Sequence, residues 1–581
     1  MEHILSHRPY IIITFLLVTL LAAAVSAFKT KGNNLDTAEG YFLANRSLPG
    51  IVVAGSMLLT NLSTEQLVGT NAHAWSTNMG PISWEIGAAL TLLMLAFLFL
   101  PLYLKTGIGT VPSFMELCYD KSVKTMFSVV TVIMYSILSL PVILYSGALV
   151  FEKIFGLSSI IGTSQLTTIS ILCVIIGLIG GAYAVFGGLR AVAISDSFYC
   201  VGFILAGLLV PIFGLSALGE QTGGSGLLDG IRYILKNDII YHKLNAINAW
   251  DAGSPQVPWP LLLTGMLFNN MYWFCGNQSM IQRTLAARSL AEGQKGAIFC
   301  GFLKCLGPLY LVIPGVIAFY MPSIQQAMVE LASSGTNVVL MDQAYSLLVA
   351  EVVPWPIMGF FGAVIFGSIL SSFNSVLNSA ATMFTLDLYR SVINPKASDL
   401  KCVKVGQMYS TVAGVVAICV STQLYRTSSG VVTFLNSLAQ FVSLPVICTV
   451  CGALLFKKIP AWCPKLIAIV HTVIYGAFLI AKPTYEAFGG SSEPIHYLYC
   501  MAVLLPVELI LMVLCSVIAP RKQPVELHDI GAVDLTPWKY RWPAAILSIA
   551  LVIVIYIIFS PLVLASPGEP VVHESIASLM R

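Results

Sequence analysis

Long apolar stretches alternate with short polar ones along most of this chain. Windows of about 20 apolar residues, the length that a helix needs to cross a bilayer, recur from the N-terminal part to the C-terminal part. The predicted spans are 9–28, 49–75, 81–104, 125–153, 165–187, 191–217, 257–283, 291–321, 354–390, 403–424, 431–456, 462–481, 495–519 and 542–566. The pattern therefore predicts an all-α polytopic membrane protein with about fourteen transmembrane helices.

Two of the predicted spans are interrupted by polar residues. The second contains TNLSTEQLVGT at 60–70, and the seventh contains NNMYWFCGNQS at 269–279. Because an unpartnered polar group is costly in hydrocarbon, such interruptions favour unwound helices that line a binding site. The two spans lie five apart, which is typical of two five-helix repeats with opposite topology.

Composition agrees with the membrane assignment. The chain is 57% hydrophobic and 10% charged, and its mean hydropathy is +0.85, which excludes an ordinary soluble domain. A net charge of +3 does not suggest a nucleic-acid partner. The 13 cysteines are scattered without CxxC spacing. They are interpreted as small buried hydrophobes, and neither a disulfide framework nor a metal cluster is expected.

The basic residues predict an orientation. Most of the 30 Lys and Arg residues fall in alternate loops, which the positive-inside rule places in the cytoplasm. Both termini are then outside, 218–256 and 322–353 are external loops, and 520–541 is internal. A multi-pass protein of the plasma membrane is expected, and a bacterial inner membrane is assumed.

A row of serines marks the ninth span. Ser368, Ser371, Ser372 and Ser375 follow i, i+3, i+4, i+7 spacing and so share one helical face. Hydroxyl and carbonyl oxygens placed in this way suit a hard cation such as sodium. The alternative is close helix packing, which small residues also serve.

Several ionisable residues fall within or at the edge of predicted spans. Asp196 begins the sixth span, where it either neutralises a cation or reaches the membrane interface. Glu85 and Lys304 lie deeper and are functional candidates, unless they only pair with each other, or with Glu65, to hold helices together. Glu508 and His471 have no comparable neighbours in the sequence and are interpreted as structural.

Aromatic residues accompany these polar groups. Trp84, Tyr272, Trp273 and Phe274 could stack on the C–H faces of a sugar, although aromatic residues in such helices mostly face lipid or core. Polar partners for sugar hydroxyls would be Asn61, Gln66, Glu85, Asn270 and Lys304. The pattern favours a small polar solute.

Five segments resemble those of the solute:sodium symporter family, and within it the sodium/sugar cotransporter branch. They are EGYFLANRSLPG at 39–50, LTNLSTEQLVG at 59–69, GGLRAVAISDSF at 187–198, NQSMIQRTLAARSLAEGQKG at 277–296 and LNSAATMFTLDLYR at 377–390. The resemblance runs over about residues 38–460, and the chain is especially similar to uncharacterised bacterial members.

The resemblance implies a LeuT-type core of two inverted five-helix repeats, with one extra helix before it and three after it. The implied regions are 1–48 for the extra helix and a cytoplasmic loop, 49–217 for the first repeat, 218–256 for an external loop, 257–457 for the second repeat, and 458–581 for the last three helices.

The resemblance also implies a sodium site between the second and ninth spans. Its ligands would be the carbonyls of Leu59, Leu62 and Ser368 and the hydroxyls of Ser371 and Ser372. A second site, present in some relatives, would use Asp196 with Ser371 and Ser375. Asn374 stands where that second site is expected to have a hydroxyl residue.

For the solute, the resemblance maps onto the polar set given above, and Trp273 stands at the position of an inner-gate aromatic. Ala88 replaces a hydroxyl residue, and Ser437 stands where well-studied sugar carriers have Gln. Since an unmatched buried hydroxyl costs about 1–3 kcal/mol, these two changes should alter which sugar fits.

The sequence therefore predicts a secondary active transporter that couples sodium to the entry of a sugar or sugar-like solute. Alternatives are another solute (an inositol, a sialic acid or a carboxylate paired with Lys304), an ion channel, or a non-transporting nutrient sensor. No enzyme is expected, because the sequence contains no nucleophile–base constellation, metal-ligand spacing or phosphate loop. Sodium is the expected coupling ion, and no other cofactor or obligate protein partner is implied.

Overall fold

The computed structural model describes residues 7–32, 34–254, 256–333, 340–424 and 431–571, without the side chains of residues 64, 65 and 431–437. Within these ranges the chain is helical, and its only β-type contacts are isolated bridges. The all-α prediction is confirmed.

The seventeen main helices of the described ranges are numbered in chain order. They are α1 Arg8–Thr30, α2 Gly50–Asn61, α3 Thr64–Ser76, α4 Ile82–Lys105, α5 Lys121–Phe155, α6 Gln165–Gln221, α7 Leu227–Tyr241, α8 Gly265–Met271, α9 Gln278–Leu285, α10 Leu290–Cys305, α11 Ile313–Tyr320, α12 Trp355–Ile393, α13 Asp399–Leu424, α14 Val431–Leu455, α15 Cys463–Ala481, α16 Tyr497–Ile518 and α17 Arg541–Ile558.

Shorter elements connect them. These are α-helices at Ala38–Leu43, Val111–Cys118, Leu157–Ile161, Pro322–Ser333 and Ala344–Val352, and 3₁₀ turns at Ala44–Arg46, Trp259–Leu261, Leu340–Gln343 and Tyr485–Phe488. Wider π-type turns interrupt the long helices at Leu95–Phe99, Met134–Ser139, Tyr272–Gly276, Pro308–Val312 and Met383–Ile393.

In the described part of the chain, ten helices are long and apolar enough to cross a membrane, and twelve spans result if each of two bent pairs counts as one. The bent pairs are α2–α3 and α10–α11. Two more predicted spans correspond to the second part of α6 and to the broken segment from α8 to α9. Every predicted span thus coincides with helix, while the number fourteen itself stays a prediction.

Helix α6 has 57 residues and is broken in its interior at Gly188. Gly188 has a φ of +59°, which a residue with a Cβ rarely adopts. The hydroxyl of Tyr41 donates to the carbonyls of Ala184 and Val185, each at 2.9 Å, just before the break. The break therefore falls between the two spans predicted at 165–187 and 191–217.

The first interrupted span is a helix that stops at Asn61 and restarts at Thr64, with a bend of 58°. The Ser63 amide donates to the Asn61 carbonyl at 3.0 Å, and the Gln66 amide donates to the Ser63 hydroxyl at 3.1 Å. In a continuous helix these two amides would bond the carbonyls of Leu59 and Leu62. The polar sequence thus ends one helix, caps the next and redirects two hydrogen bonds.

The second interrupted span runs from α8 through the π-type turn Tyr272–Gly276 to α9. Asn277 caps α9, because its side-chain oxygen accepts hydrogen bonds from the Ser279 amide at 2.9 Å and the Ser279 hydroxyl at 2.6 Å. The Tyr135 hydroxyl of α5 donates to the same oxygen at 2.7 Å. Both interruptions predicted from the sequence are confirmed as helix breaks.

Helix α12 lies at the centre of the protein. In its most apolar window 83% of the residues are buried, against 11% for α1 and 17% for α17. It packs against α6, α1 and α13, while α10 packs against α2 and α4. The serine face of α12 is therefore enclosed by protein on all sides, and α1 and α17 lie at the periphery.

Gly315 lets α11 approach α3 closely, and this contact gives a first test. A Cβ at Gly315 would lie 2.1 Å from the Asn71 carbonyl oxygen, whereas a Cβ at Gly414 of α13 would meet nothing within 4 Å. We expect Gly315→Ala to lower the free energy of unfolding by about 1–3 kcal/mol. Gly414→Ala should be neutral or stabilise by about 0.5–1 kcal/mol. Thermal unfolding of both purified variants is the measurement, and equal shifts would contradict the packing described here.

Candidate functional site

A buried ion pair lies where the interrupted helices meet. Glu85 of α4 and Lys304 of α10 approach to 2.7 Å, and their side chains are 0% and 1% exposed. Removing two charges from water is costly, and close pairing with further hydrogen bonds offsets much of that cost. The two residues predicted as deep ionisable candidates thus pair with each other.

The two polar side chains that flank the first helix break contact this pair. The Gln66 amide donates to one Glu85 oxygen, and the Lys304 ammonium donates to the Asn61 amide oxygen as well as to the other Glu85 oxygen. Lys304 also lies 5.7 Å from the centre of the Phe274 ring, which belongs to the second break. One buried cluster therefore joins α2, α3, α4, α10 and the turn before α9.

Asn270 packs against α4, the helix of Glu85, with part of its hydrogen-bonding capacity unused. Its side-chain nitrogen is buried without a partner and lies 3.4 Å from the Cβ position of Gly87 on α4. The neighbouring Asn269 has a buried side-chain oxygen without a partner, and the sequence analysis did not select it. A buried amide that lacks a partner is ready to bond a polar ligand.

The aromatic candidates are less closely associated with the ion pair. Trp273 is half-buried and packs edge-on against Tyr272, with ring centres 5.9 Å apart. Trp84 is half-buried and packs on an apolar cluster that includes Leu261 and Leu498. Apart from Phe274, none of them has a described contact with Glu85 or Lys304.

Of the two positions that depart from the family pattern, the structure describes the surroundings of one. Ala88 is fully buried on α4, and its carbonyl accepts the Thr91 hydroxyl at 2.8 Å. Ser437 is on α14, and its side chain lies outside the described residues.

Three of the predicted sodium ligands lie at the first helix break or contact it. Leu59 and Leu62 are fully buried, and their carbonyls are those released by the redirected amides. The Ser372 hydroxyl donates to the Thr60 carbonyl at 3.4 Å, which joins α12 to the break. The Ser371 hydroxyl is buried and has no partner, so its oxygen is available as a ligand. The Ser368 hydroxyl bonds its own helix at the Ile365 carbonyl, at 2.8 Å.

Asp196 is fully buried and paired, so the interpretation that it reaches the membrane interface is wrong. One of its oxygens accepts the Ser56 hydroxyl at 2.7 Å and lies 4.0 Å from the Arg283 guanidinium, while its other oxygen has no partner. Arg283 also donates to the hydroxyl of Ser375, which lies 2.8 Å from the Thr60 hydroxyl. Ser375, a predicted ligand of the second sodium site, is thus already hydrogen-bonded to other groups.

Arg283 is the main polar residue of this region that the sequence analysis missed. It ends the seventh predicted span, where a charge exposed in a cytoplasmic loop is expected, yet its side chain is 0% exposed. Arg283 follows Ser279 by four residues and bonds its carbonyl within α9. This helical spacing was the one available signal that Arg283 belongs to the helix and not to the loop. The residue places a cation beside Asp196 without any bound ion.

A second buried pair lies outside this site, in the last helices. His471 of α15 and Glu508 of α16 approach to 2.8 Å, and both side chains are 0% exposed. The other ring nitrogen of His471 lies 3.2 Å from the Gln440 carbonyl of α14. The sequence shows no comparable neighbour for either residue, and the structure pairs them across two helices; their structural role stays a prediction.

Broken helices that meet at an enclosed polar cluster, in a bundle of apolar helices, define a membrane transporter of the LeuT type. The structure of a Na+-coupled sialic acid symporter, in a substrate-bound outward-open state, matches with a TM-score of 0.70 over 89% of this chain and 99% of that chain, at 18% identity. At this identity the match shows the fold.

The chain belongs to the sodium:solute symporter family, whose model matches residues 41–460. Over 91% of its length it is 37% identical to the uncharacterized symporter YidK of Escherichia coli (strain K12), covering 87% of that protein. It is 30% identical to the sodium/glucose cotransporter of Vibrio parahaemolyticus over 83% of this chain and 87% of that one. A sodium/myo-inositol cotransporter of Homo sapiens is 24% identical over 86% and 72% of the two chains. The relatives named for a function are transporters, and this chain is likewise a multi-pass membrane protein.

Proposed function

We propose that the protein carries a neutral sugar or polyol into the cell together with sodium. The observation that supports this most directly is the Glu85–Lys304 pair, which is fully buried and bonded to Asn61 and Gln66. Each charge already has its counter-charge, so a bound solute need not bring one. Carboxylate, ammonium and amide groups at one place match the alternating donors and acceptors of a polyol.

Neutral solutes are also named for relatives of this chain, among them the glucose and myo-inositol cotransporters. An anionic solute such as a sialic acid would compete with Glu85 for Lys304, and breaking a buried pair costs about 3–5 kcal/mol. We therefore place the anionic solutes second. The proposed solute contacts are those of Asn61, Gln66, Trp84, Glu85, Asn270, Trp273, Lys304 and Ser437.

The proposed sodium site is formed by the carbonyls of Leu59, Leu62 and Ser368 and the hydroxyls of Ser371 and Ser372. Its support is the pair of released carbonyls at the helix break, together with the buried Ser371 hydroxyl, which makes no hydrogen bond of normal length. A second site at Asp196 and Ser375 is the weaker part of the proposal, because Arg283 lies there.

Coupling one sodium ion supplies a sizeable driving force. One charge that crosses 100 mV yields about 2.3 kcal/mol, and a tenfold sodium gradient adds about 1.4 kcal/mol. The sum of roughly 3.7 kcal/mol supports about 500-fold accumulation of a neutral solute. Sodium would act by favouring the arrangement that completes the solute site, a shift that needs only a difference in affinity. We propose a plasma-membrane location with both termini outside, with 49–217 and 257–457 as the inverted repeats.

Uptake into proteoliposomes tests this proposal. Labelled hexoses, N-acetylated sugars, an inositol, a sialic acid and proline are offered with and without an inward sodium gradient, at zero and at inside-negative potential. We expect sodium-dependent accumulation of at least one neutral sugar or polyol, accelerated by the potential because net positive charge enters. Uptake of only the sialic acid or proline would contradict the proposed solute class. Sodium binding without uptake would favour a sensor, and steady sodium current without solute would favour a channel.

A further inference from the structure

Lys243 is a buried lysine in the segment between α7 and α8, far along the chain from the ion pair. It follows His242, which ends α7 in the left-handed conformation with a φ of +52°. Its side chain is 0% exposed although its segment lies outside the helices that could cross a membrane. Residues 242–246 are called the Lys243 turn below.

The Lys243 turn contacts the far ends of two helices: α3, whose first turn reaches the polar cluster, and α11. The Lys243 ammonium donates to the Trp75 carbonyl in the last turn of α3 at 2.9 Å, and it lies 4.0 Å from the centre of the Phe319 ring of α11. The last carbonyls of a helix lack partners within it and carry its negative dipole end, so a cation or donor is favourable there. The Lys243 carbonyl in turn accepts the Met79 amide at 2.9 Å, just after α3.

The turn is itself fixed from behind by the C-terminal segment. The Ala246 amide donates to the Phe559 carbonyl at 2.8 Å. Asp238 of α7 is fully buried and accepts the Leu244 amide at 2.9 Å and the Ser566 amide at 2.7 Å. Asp238 is thus occupied by backbone amides and makes no direct ion pair with Lys243 among the described contacts.

We propose that Lys243 is a latch that lets the pH on its side of the membrane set how firmly the far ends of α3 and α11 are held. This goes beyond the proposed transport function and does not depend on which solute is carried. When the turn is docked, the amine is enclosed; when the turn is released, the amine meets water and takes up a proton.

The electrostatic surroundings give the direction of the effect. Burial lowers the pKa of Lys243 to about 7, and the negative charge of Asp238 opposes that change. The other titratable groups on the elements packed here are His242 in the turn itself, Tyr233 and Tyr241 of α7, His73 of α3 and Tyr320 of α11. In water the pKa of a lysine is about 10.4.

Between these two pKa values docking releases a proton, so raising the pH from 7 towards 10 favours the docked turn by up to about tenfold per pH unit. Below pH 7 the amine is charged in both states and the dependence disappears. Acidification from pH 9 to pH 7 therefore loosens the latch, and further acidification changes little.

Hydrogen exchange of the full chain in lipid nanodiscs tests this proposal without any transport assay. The reporters are the amides of Met79, Leu244 and Ala246, corrected for intrinsic exchange, at pH 6, 7, 8 and 9. In the wild-type protein the opening constant should fall by up to about tenfold per unit between pH 7 and 9 and stay flat between 6 and 7. The Arg521 amide, bonded to the Lys458 carbonyl at 3.0 Å, serves as a distant reference.

Two variants separate the latch from general stability. Lys243→Met has no titratable group and cannot donate to the Trp75 carbonyl, so its opening should be independent of pH, whereas Lys243→Arg stays charged and should be pH-independent and open. Lys236→Met, at an exposed position of α7, should keep the wild-type slope. A wild-type slope in either Lys243 variant, or its loss in Lys236→Met, would overturn the proposal, and Lys243→Arg alone suffices if Lys243→Met does not fold. Failure of the uptake assay would leave this result untouched.

Discussion

Replacing Glu85 by alanine should lower the free energy of unfolding by about 3–5 kcal/mol and abolish solute uptake, the largest effect that we expect from any single change in this protein. The reason is that Lys304, 1% exposed, would keep a buried charge without the carboxylate that lies 2.7 Å away. Gln66 would also lose the carboxylate that accepts its hydrogen bond, and Asn61 would be left with a lysine that is no longer held by Glu85. Thermal unfolding of the purified variant and uptake in proteoliposomes measure the two effects separately.

The double variant Glu85→Gln/Lys304→Met provides the decisive comparison. It removes both charges, so most of the lost stability should return, while uptake should stay absent because the solute has lost its charged partners. Glu508→Ala is a matched control, since it breaks another buried pair of similar length in the last helices. It should also destabilise the protein, but the folded fraction should still bind sodium and solute. Uptake by the double variant at the wild-type rate would refute the assignment of the solute site.

The second large effect is expected at the serine face. Ser371→Ala removes a buried hydroxyl that has no protein partner, so its loss should cost little stability but should weaken sodium binding. One lost ligand hydrogen-bonding group is worth about 1–3 kcal/mol, which corresponds to roughly a 5- to 150-fold rise in the sodium concentration for half-maximal uptake. Ser372→Ala should act in the same direction, because its hydroxyl links α12 to the helix break. Sodium activation curves at saturating solute give the measurement.

Ser379→Ala is the control for the serine face. Ser379 lies two turns further along α12, and its hydroxyl donates to the Gln282 side chain at 2.7 Å, away from the released carbonyls. Its replacement should lower stability and leave the sodium requirement unchanged. If Ser379→Ala and Ser371→Ala raised the sodium requirement equally, the effect would belong to helix packing, the alternative left open for this row of serines.

The breaks in the two polar spans could be predicted from the sequence because their cause is local. Residues 60–66 contain the groups that end one helix and cap the next, and Asn277 caps α9 in the same way. The serine face followed from helical periodicity alone. Gly188 is similar, since the residues around it already marked the boundary between two predicted spans.

Partners that come from different helices could not be predicted in this way. Arg283 looked like a loop charge at the edge of a span, and its burial depends on how α9 packs against α2 and α12. His471 and Glu508 lie on separate helices, and only the mutual rotation of α15 and α16 brings them to 2.8 Å. Periodicity gives the face of one helix, whereas the register between two helices depends on packing throughout the bundle.

The redirected hydrogen bonds at Ser63 and Gln66 affect how this protein can be studied. The oxygens that they release, at Leu59 and Leu62, belong to the main chain and remain whatever side chain is placed there. Alanine substitution will therefore detect only the serine hydroxyls of such a site and will leave its main-chain ligands untested. Residues 59 and 62 can therefore be substituted without loss of these oxygens, as long as the helix still breaks there. An ion site built on them depends on the backbone conformation and not on the identity of these two side chains. Amide-to-ester replacement at Ser63 and Gln66 deletes the two redirected N–H donors. It would show how far the hydrogen bonds of the helix break support ion binding, which side-chain substitution cannot show.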